Sequence, residues 1–228
     1  MNESKDYQPN LSRGILLLGQ PGMGKTTTAL QIAKPVAYIA DCDNNLSGAT
    51  RFLSGTRFLY DTPDIGYAPD YRFEELSRRV KEASQTDIVG TLILDSLTKV
   101  ADYVMDEILR QQNRKTMQLQ DWGTFLNVMK RTITMLRSTR KLFIATAHIK
   151  SEKDEVAGYI KFFPALPGQI QHIIGALFSD VWLCDCEEKG GKHNYIIRTM
   201  PTTFYALKNS LGLPSVCTAE QVKEALNK

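Results

Sequence analysis

Nine residues, GQPGMGKTT from Gly19 to Thr27, have the types and spacing needed to hold a nucleoside triphosphate. They match G-x-x-x-x-G-K-[ST] at every fixed position. Glycines at 22 and 24 let backbone N–H groups curl around phosphate oxygens. The N-terminus of the helix that must follow adds partial positive charge. Lys25 is then placed for the β- and γ-phosphates and the Thr26 hydroxyl for Mg²⁺. Gly19, Gln20, Pro21, Gly22, Met23, Gly24, Lys25, Thr26 and Thr27 are the expected nucleotide contacts.

Three further groups extend that chemistry. In TLILDS, the apolar residues Leu92, Ile93 and Leu94 carry Asp95 to the C-terminal end of a strand beside the loop, where its carboxylate and Thr26 are the expected metal ligands. Ser96 follows Asp95 where some NTPases place a catalytic glutamate, so the base must come from elsewhere. DCD supplies Asp41 and Asp43, whose side chains alternate, so one faces the phosphates while the other caps or packs. Asp43 is the expected group orienting the attacking water. His148, at the end of IATAH, is placed to sense the γ-phosphate.

These groups need a sheet whose strand ends meet along one edge. RGILLLG, PVAYIAD, TLILD and KLFIATAH read as buried strands. Helical periodicity marks residues 25–34, 72–85 and 97–112, and a further helix that Asp121 caps. ALFSDVWLCDC and HNYIIRT are late strands joined by the turn glycines of EEKGGK, and TAEQ at Thr218 opens a last helix with a capping box. The pattern predicts an α/β fold, a mostly parallel sheet flanked by helices with a C-terminal antiparallel hairpin.

Residues 1–10 read as a flexible arm and 11–228 as a single domain. MNESKDYQPN has no apolar leader core, and no run approaches the length of a membrane span. The four cysteines, Cys42, Cys184, Cys186 and Cys217, are expected as reduced thiols in a cytoplasm, and no membrane partner is expected. The net charge of +3 implies no nucleic acid by itself. Residues 107–141, however, carry Arg110, Arg114, Lys115, Lys130, Arg131, Arg137, Arg140 and Lys141 against only Glu107 and Asp121. That run reads either as a nucleic-acid surface or as a solvated helix face.

Taken in order, GQPGMGKTT, YIADCD, TLILDS, QDWG, IATAH and RTMPTTFYALKNSLGLP resemble the RecA-like P-loop ATPase core. They look more closely like the short phage single-strand annealing and recombination proteins built on it. The resemblance implies an ATPase using ATP and Mg²⁺, with Asp43 as catalytic base and His148 coupling ATP to DNA. It implies a homo-oligomer with ATP at subunit interfaces, where Lys208, or as second choice Arg198, reaches the neighbour's ATP. Single-stranded DNA, a single-strand-binding protein and the cytoplasm of a phage-infected host are the implied partners and setting. Two DNA loops are implied. The first lies near 111–120, with Arg114 and Lys115; the second lies at 150–169, with Lys150 and Lys161. Tyr159, Phe162 and Phe163 in the second either stack on bases or serve as core contacts. The alternatives are a small-molecule or nucleotide kinase, which would carry an arginine-rich lid, and a partner-controlled ATPase without DNA affinity.

Overall fold

Strands covered on both faces are buried at every position, and that is how four strands of this chain, Gly14–Leu18, Ala37–Asp41, Thr91–Asp95 and Leu142–Ala147, are built. The computed structural model describes residues 12–51, 53, 57–153 and 158–227; the expected arm at 1–10 lies outside the described residues. The strands are β1 (Gly14–Leu18), β2 (Ala37–Asp41), β3 (Phe58–Asp61), β4 (Thr91–Asp95), β5 (Leu142–Ala147), β6 (Ile149–Lys153), β7 (Ile160–Pro164), β8 (Asp180–Lys189), β9 (Lys192–Arg198) and β10 (Val216–Cys217). The helices are α1 (Lys25–Ile32), α2 (Leu46–Thr50), α3 (Pro63–Gly66), α4 (Arg72–Gln85), α5 (Leu97–Gln111), α6 (Leu119–Arg137), α7 (Ile170–Ile173) and α8 (Ala219–Leu226).

Eight strands form one sheet in the order β10-β9-β8-β1-β5-β4-β2-β3. From β8 to β3 the neighbours are parallel, and β9 and β10 add antiparallel strands at one edge. This is the α/β fold expected from the sequence, a mostly parallel sheet flanked by helices with antiparallel strands at its C-terminal edge. β5 lies between β1 and β4, and Asp95 at the end of β4 still reaches Thr26 of the loop.

Side chains alternate along every central strand and feed two cores. Leu16 and Leu18 of β1 join α4, α5 and α6 on one face, while Ile15 and Leu17 join α1, α2 and α8 on the other. Pairing two helical layers through one sheet fixes the height of each strand end, and so of the groups at those ends.

Several local features depart from the sequence reading. α6 starts at Leu119 with Gln118 as its cap, and Asp121 is the return acceptor of the capping box, bonded to the Gln118 N–H at 2.8 Å. The segment after His148 is not simply a loop. β6 and β7 pair antiparallel into a two-stranded ribbon. The short edge strand β3 was not anticipated. The late hairpin and the terminal helix were: β8 and β9 turn through Gly190 and Gly191, both at positive φ, and Thr218 caps α8.

Candidate nucleotide site

The loop from Gly19 to Gly24 leaves β1 at the C-terminal edge of the sheet and enters α1 directly. Gly24 caps α1 at φ 76°, a left-handed conformation open to glycine at no cost, and no side chain claims the first N–H groups of the helix. An eight-residue helix thus presents free donors where a phosphate would lie.

Lys25 is only 6% exposed. Its ammonium donates to the carbonyls of Gly19 and Gln20 at 3.1 and 3.0 Å, and stands 3.5 Å from His148 Nδ1. Burial lowers its pKa, and the nearby Asp95 carboxylate opposes that shift. His148 Nε2 lies 3.2 Å from Asp43 Oδ2, and the Ser96 hydroxyl donates to Asp43 Oδ1 at 3.1 Å. Lys25, His148 and Asp43 therefore form one polar chain from the phosphate loop to the end of β2. Burial pushes the Asp43 pKa up. The hydrogen bonds from His148 and Ser96, with the charges of His148 and Lys25, outweigh it and hold the pKa below the usual carboxylate value.

Asp95 is 2% exposed. It accepts from the Thr26 hydroxyl at 2.6 Å and from the Thr146 hydroxyl, which bridges from β5. Burial raises its pKa although both hydroxyls stabilise the anion. A hydroxyl and a carboxylate meeting at the wall of a phosphate cavity form an all-oxygen donor pair, which fits Mg²⁺. Asp41 has a different job. Its two oxygens accept from the Asn45 and Leu46 N–H groups at 3.0 and 2.9 Å, so it holds the start of α2, and it is buried. Of the two aspartates in DCD, Asp43 is the one facing the loop.

Lys25, Thr26, Asp43, Asp95 and His148 line a cavity of about 550 Å³ that also takes in Gln31, Asn45 and Tyr195. The last three were missed in the sequence. Tyr195 arrives from β9 through strand register, for which spacing along the chain gives no signal.

The remaining expected residues lie elsewhere. Lys208 pairs with Val181 near the start of β8 and donates to the Phe178 carbonyl at 2.7 Å, towards the opposite end of the sheet from the loop. Arg198 is ion-paired with Asp185 and Glu187 at 2.8 and 2.9 Å. Neither lines the cavity. Arg114 is paired with the buried Asp121, with both carboxylate oxygens within 3.1 Å. Lys115 is exposed beside it. Lys150 pairs with Glu152 at 3.2 Å on β6, and Lys161 on β7 lies over the Tyr159 ring at 5.1 Å. Phe162 stacks on Tyr205 with centroids 4.7 Å apart, and Phe163 packs edge-on against His172, so both act as contacts within the fold. The basic run is also partly committed: Arg110 pairs with Glu107, Arg137 donates to the Ser12 and Leu177 carbonyls, and Lys141 to those of Thr86 and Val89.

A protein-family profile described as an AAA domain matches residues 12–211, most of the chain, and the chain belongs to that family. It is a P-loop ATPase domain. A KaiC-like protein of the hyperthermophilic archaeon Pyrococcus horikoshii is similar in structure at 17% identity and a TM-score of 0.48, over 82% of this chain and 79% of that one. No curated protein matches the chain by sequence. Among the described residues, no helix is long and apolar enough to cross a membrane.

Proposed function

Taking this family and this site together, we propose that the chain hydrolyses ATP and uses its nucleotide state to control a grip on single-stranded DNA, promoting annealing or recombination. One observation carries the coupling. His148 touches the phosphate loop through Lys25, and it is also the residue on which the ribbon is hinged. β6 begins at the next residue, and the N–H of Ala165, just past β7, donates to the His148 carbonyl at 2.7 Å. A shift of His148 towards a γ-phosphate would therefore move the β6–β7 ribbon from its base, and with it Lys150 near that base and Lys161 towards the far end.

In hydrolysis, Asp43 accepts a proton from the water that attacks the γ-phosphorus as the bond to ADP breaks. A base held below the usual carboxylate value is ionised throughout the neutral range. Lys25 leaves the Gly19 and Gln20 carbonyls for phosphate oxygens. Thr26 and Asp95 would hold Mg²⁺, which neutralises charge on the transferring group. The oligomer with ATP between subunits belongs to the same proposal, with Lys208 acting on a neighbour. So does a single-strand-binding protein as partner.

The test is binding of a labelled single-stranded oligonucleotide with and without Mg²⁺-ATP across a salt series. ATP-enhanced binding with a steep salt slope supports the reading. No binding in any nucleotide state refutes it, and phosphate transfer to a small acceptor would then favour a kinase.

A further inference from the structure

One wall of the cavity comes from neither the phosphate loop nor the strand ends that carry Asp43, Asp95 and His148. β8 pairs with β1 only as far as Leu183 but runs on to Lys189, with β9 returning beside it. The hairpin therefore overhangs the phosphate edge of the sheet. Directly paired residues of antiparallel strands share a face. Cys184 and Ile197 are such a pair, and both pack into the core on the α1 side. Two residues further out, the pair Cys186 and Tyr195 keeps that face. The Tyr195 ring is thereby delivered onto the loop. Its Cδ1 stands 3.1 Å from the point a Cβ on Gly24 would occupy. The ring lines the cavity, yet it is 53% exposed, with apolar surface open to an incoming group.

The sheet order supplies a direction. β5 and β4, with the groups suited to a terminal phosphate, lie on one side of β1; β8 and β9 lie on the other. A triphosphate ending among Asp95, Asp43 and His148 runs back across the loop, carrying its sugar and base towards β8 and β9. We propose that Tyr195 is the platform on which the nucleobase stacks, and that this ring gives the site its preference for a nucleotide over a bare triphosphate. The inference rests on the nucleotide-site reading above. Ion pairs from Arg198 to Asp185 and Glu187 brace β9 against β8 on the other face of the hairpin. The same contact bears on Gly24, since the ring occupies the space a side chain there would need.

Calorimetric titration of the full chain with Mg²⁺-ATP and with Mg²⁺-tripolyphosphate, which has no base, separates the two parts of the site. Tyr195→Ala is expected to weaken ATP binding about tenfold and to leave tripolyphosphate binding unchanged. Tyr195→Phe, which keeps the ring, is expected to retain ATP affinity. Unchanged ATP affinity in Tyr195→Ala, or an equal loss for both ligands, overturns the platform alone. A wild-type chain that binds neither ligand overturns the nucleotide site and the platform together.

Discussion

Asp95 and Asp43 are both carboxylates at strand ends, yet their surroundings push them in opposite directions. Burial raises the Asp95 pKa above its unfolded value. The folded state then prefers the protonated acid, and stability declines as pH rises from the unfolded value through the folded one, so the ionised carboxylate is a cost at neutral pH. Asp95→Asn is expected to raise the melting temperature of the ligand-free protein at pH 7 while impairing Mg²⁺-dependent turnover. A lower melting temperature would contradict that sign. Asp43 is held low. Its contribution to stability is present above the unfolded value and is lost as pH falls through the folded one. Asp43→Asn should therefore destabilise slightly. It should also reduce turnover by about a hundredfold or more with ATP affinity retained, measured by steady-state ATPase and calorimetry. In the ligand-free protein Asp43 should stay ionised until the pH falls below the ordinary carboxylate value of 3.8, as an NMR titration of its carboxylate would read.

At the scale of elements, the start of α6 shows how a basic residue becomes structural. Arg114 closes the turn between α5 and α6 by pairing with Asp121, whose side chain is 5% exposed and also accepts from the Gln118 N–H. Removing the guanidinium leaves a buried carboxylate with a backbone donor in place of its counter-charge. Arg114→Ala is expected to cost about 2 kcal/mol in denaturant unfolding and to leave any DNA affinity unchanged. A normal midpoint with weakened DNA binding would reverse that assignment. The β6–β7 ribbon is anchored in a comparable way. The Phe162–Tyr205 stack and the Phe162 N–H to Phe204 carbonyl bond at 2.9 Å join it to the segment after β9. Motion of the ribbon is thus shared with the stretch that leads to Lys208.

For the whole molecule, what could be read from the sequence follows the range of the interactions. The phosphate loop, Asp95, Asp43 and His148 were legible because each sits at the end of a buried strand, and one sheet edge collects such ends. The fold class was legible for the same reason, from apolar runs alternating with helical periodicity. The order of β1, β5 and β4 was not, because parallel neighbours are chosen by packing over long separations. Tyr195 was hidden by hairpin register, and the commitment of Arg114 by a fold-dependent pair seven residues apart. Lys208 belongs to this scale too. It bonds within its own chain away from the cavity, so a role in turnover requires a second copy. Lys208→Ala is expected to lower ATPase activity without weakening ATP binding, and unchanged turnover would remove it from the mechanism. The most direct measurement is the ratio of oligonucleotide affinities with and without Mg²⁺-ATP, by fluorescence anisotropy, in the wild type and in His148→Ala. The proposed coupling through His148 predicts a ratio of about ten or more in the wild type, falling towards one in the variant. An equal ratio in both proteins would contradict it.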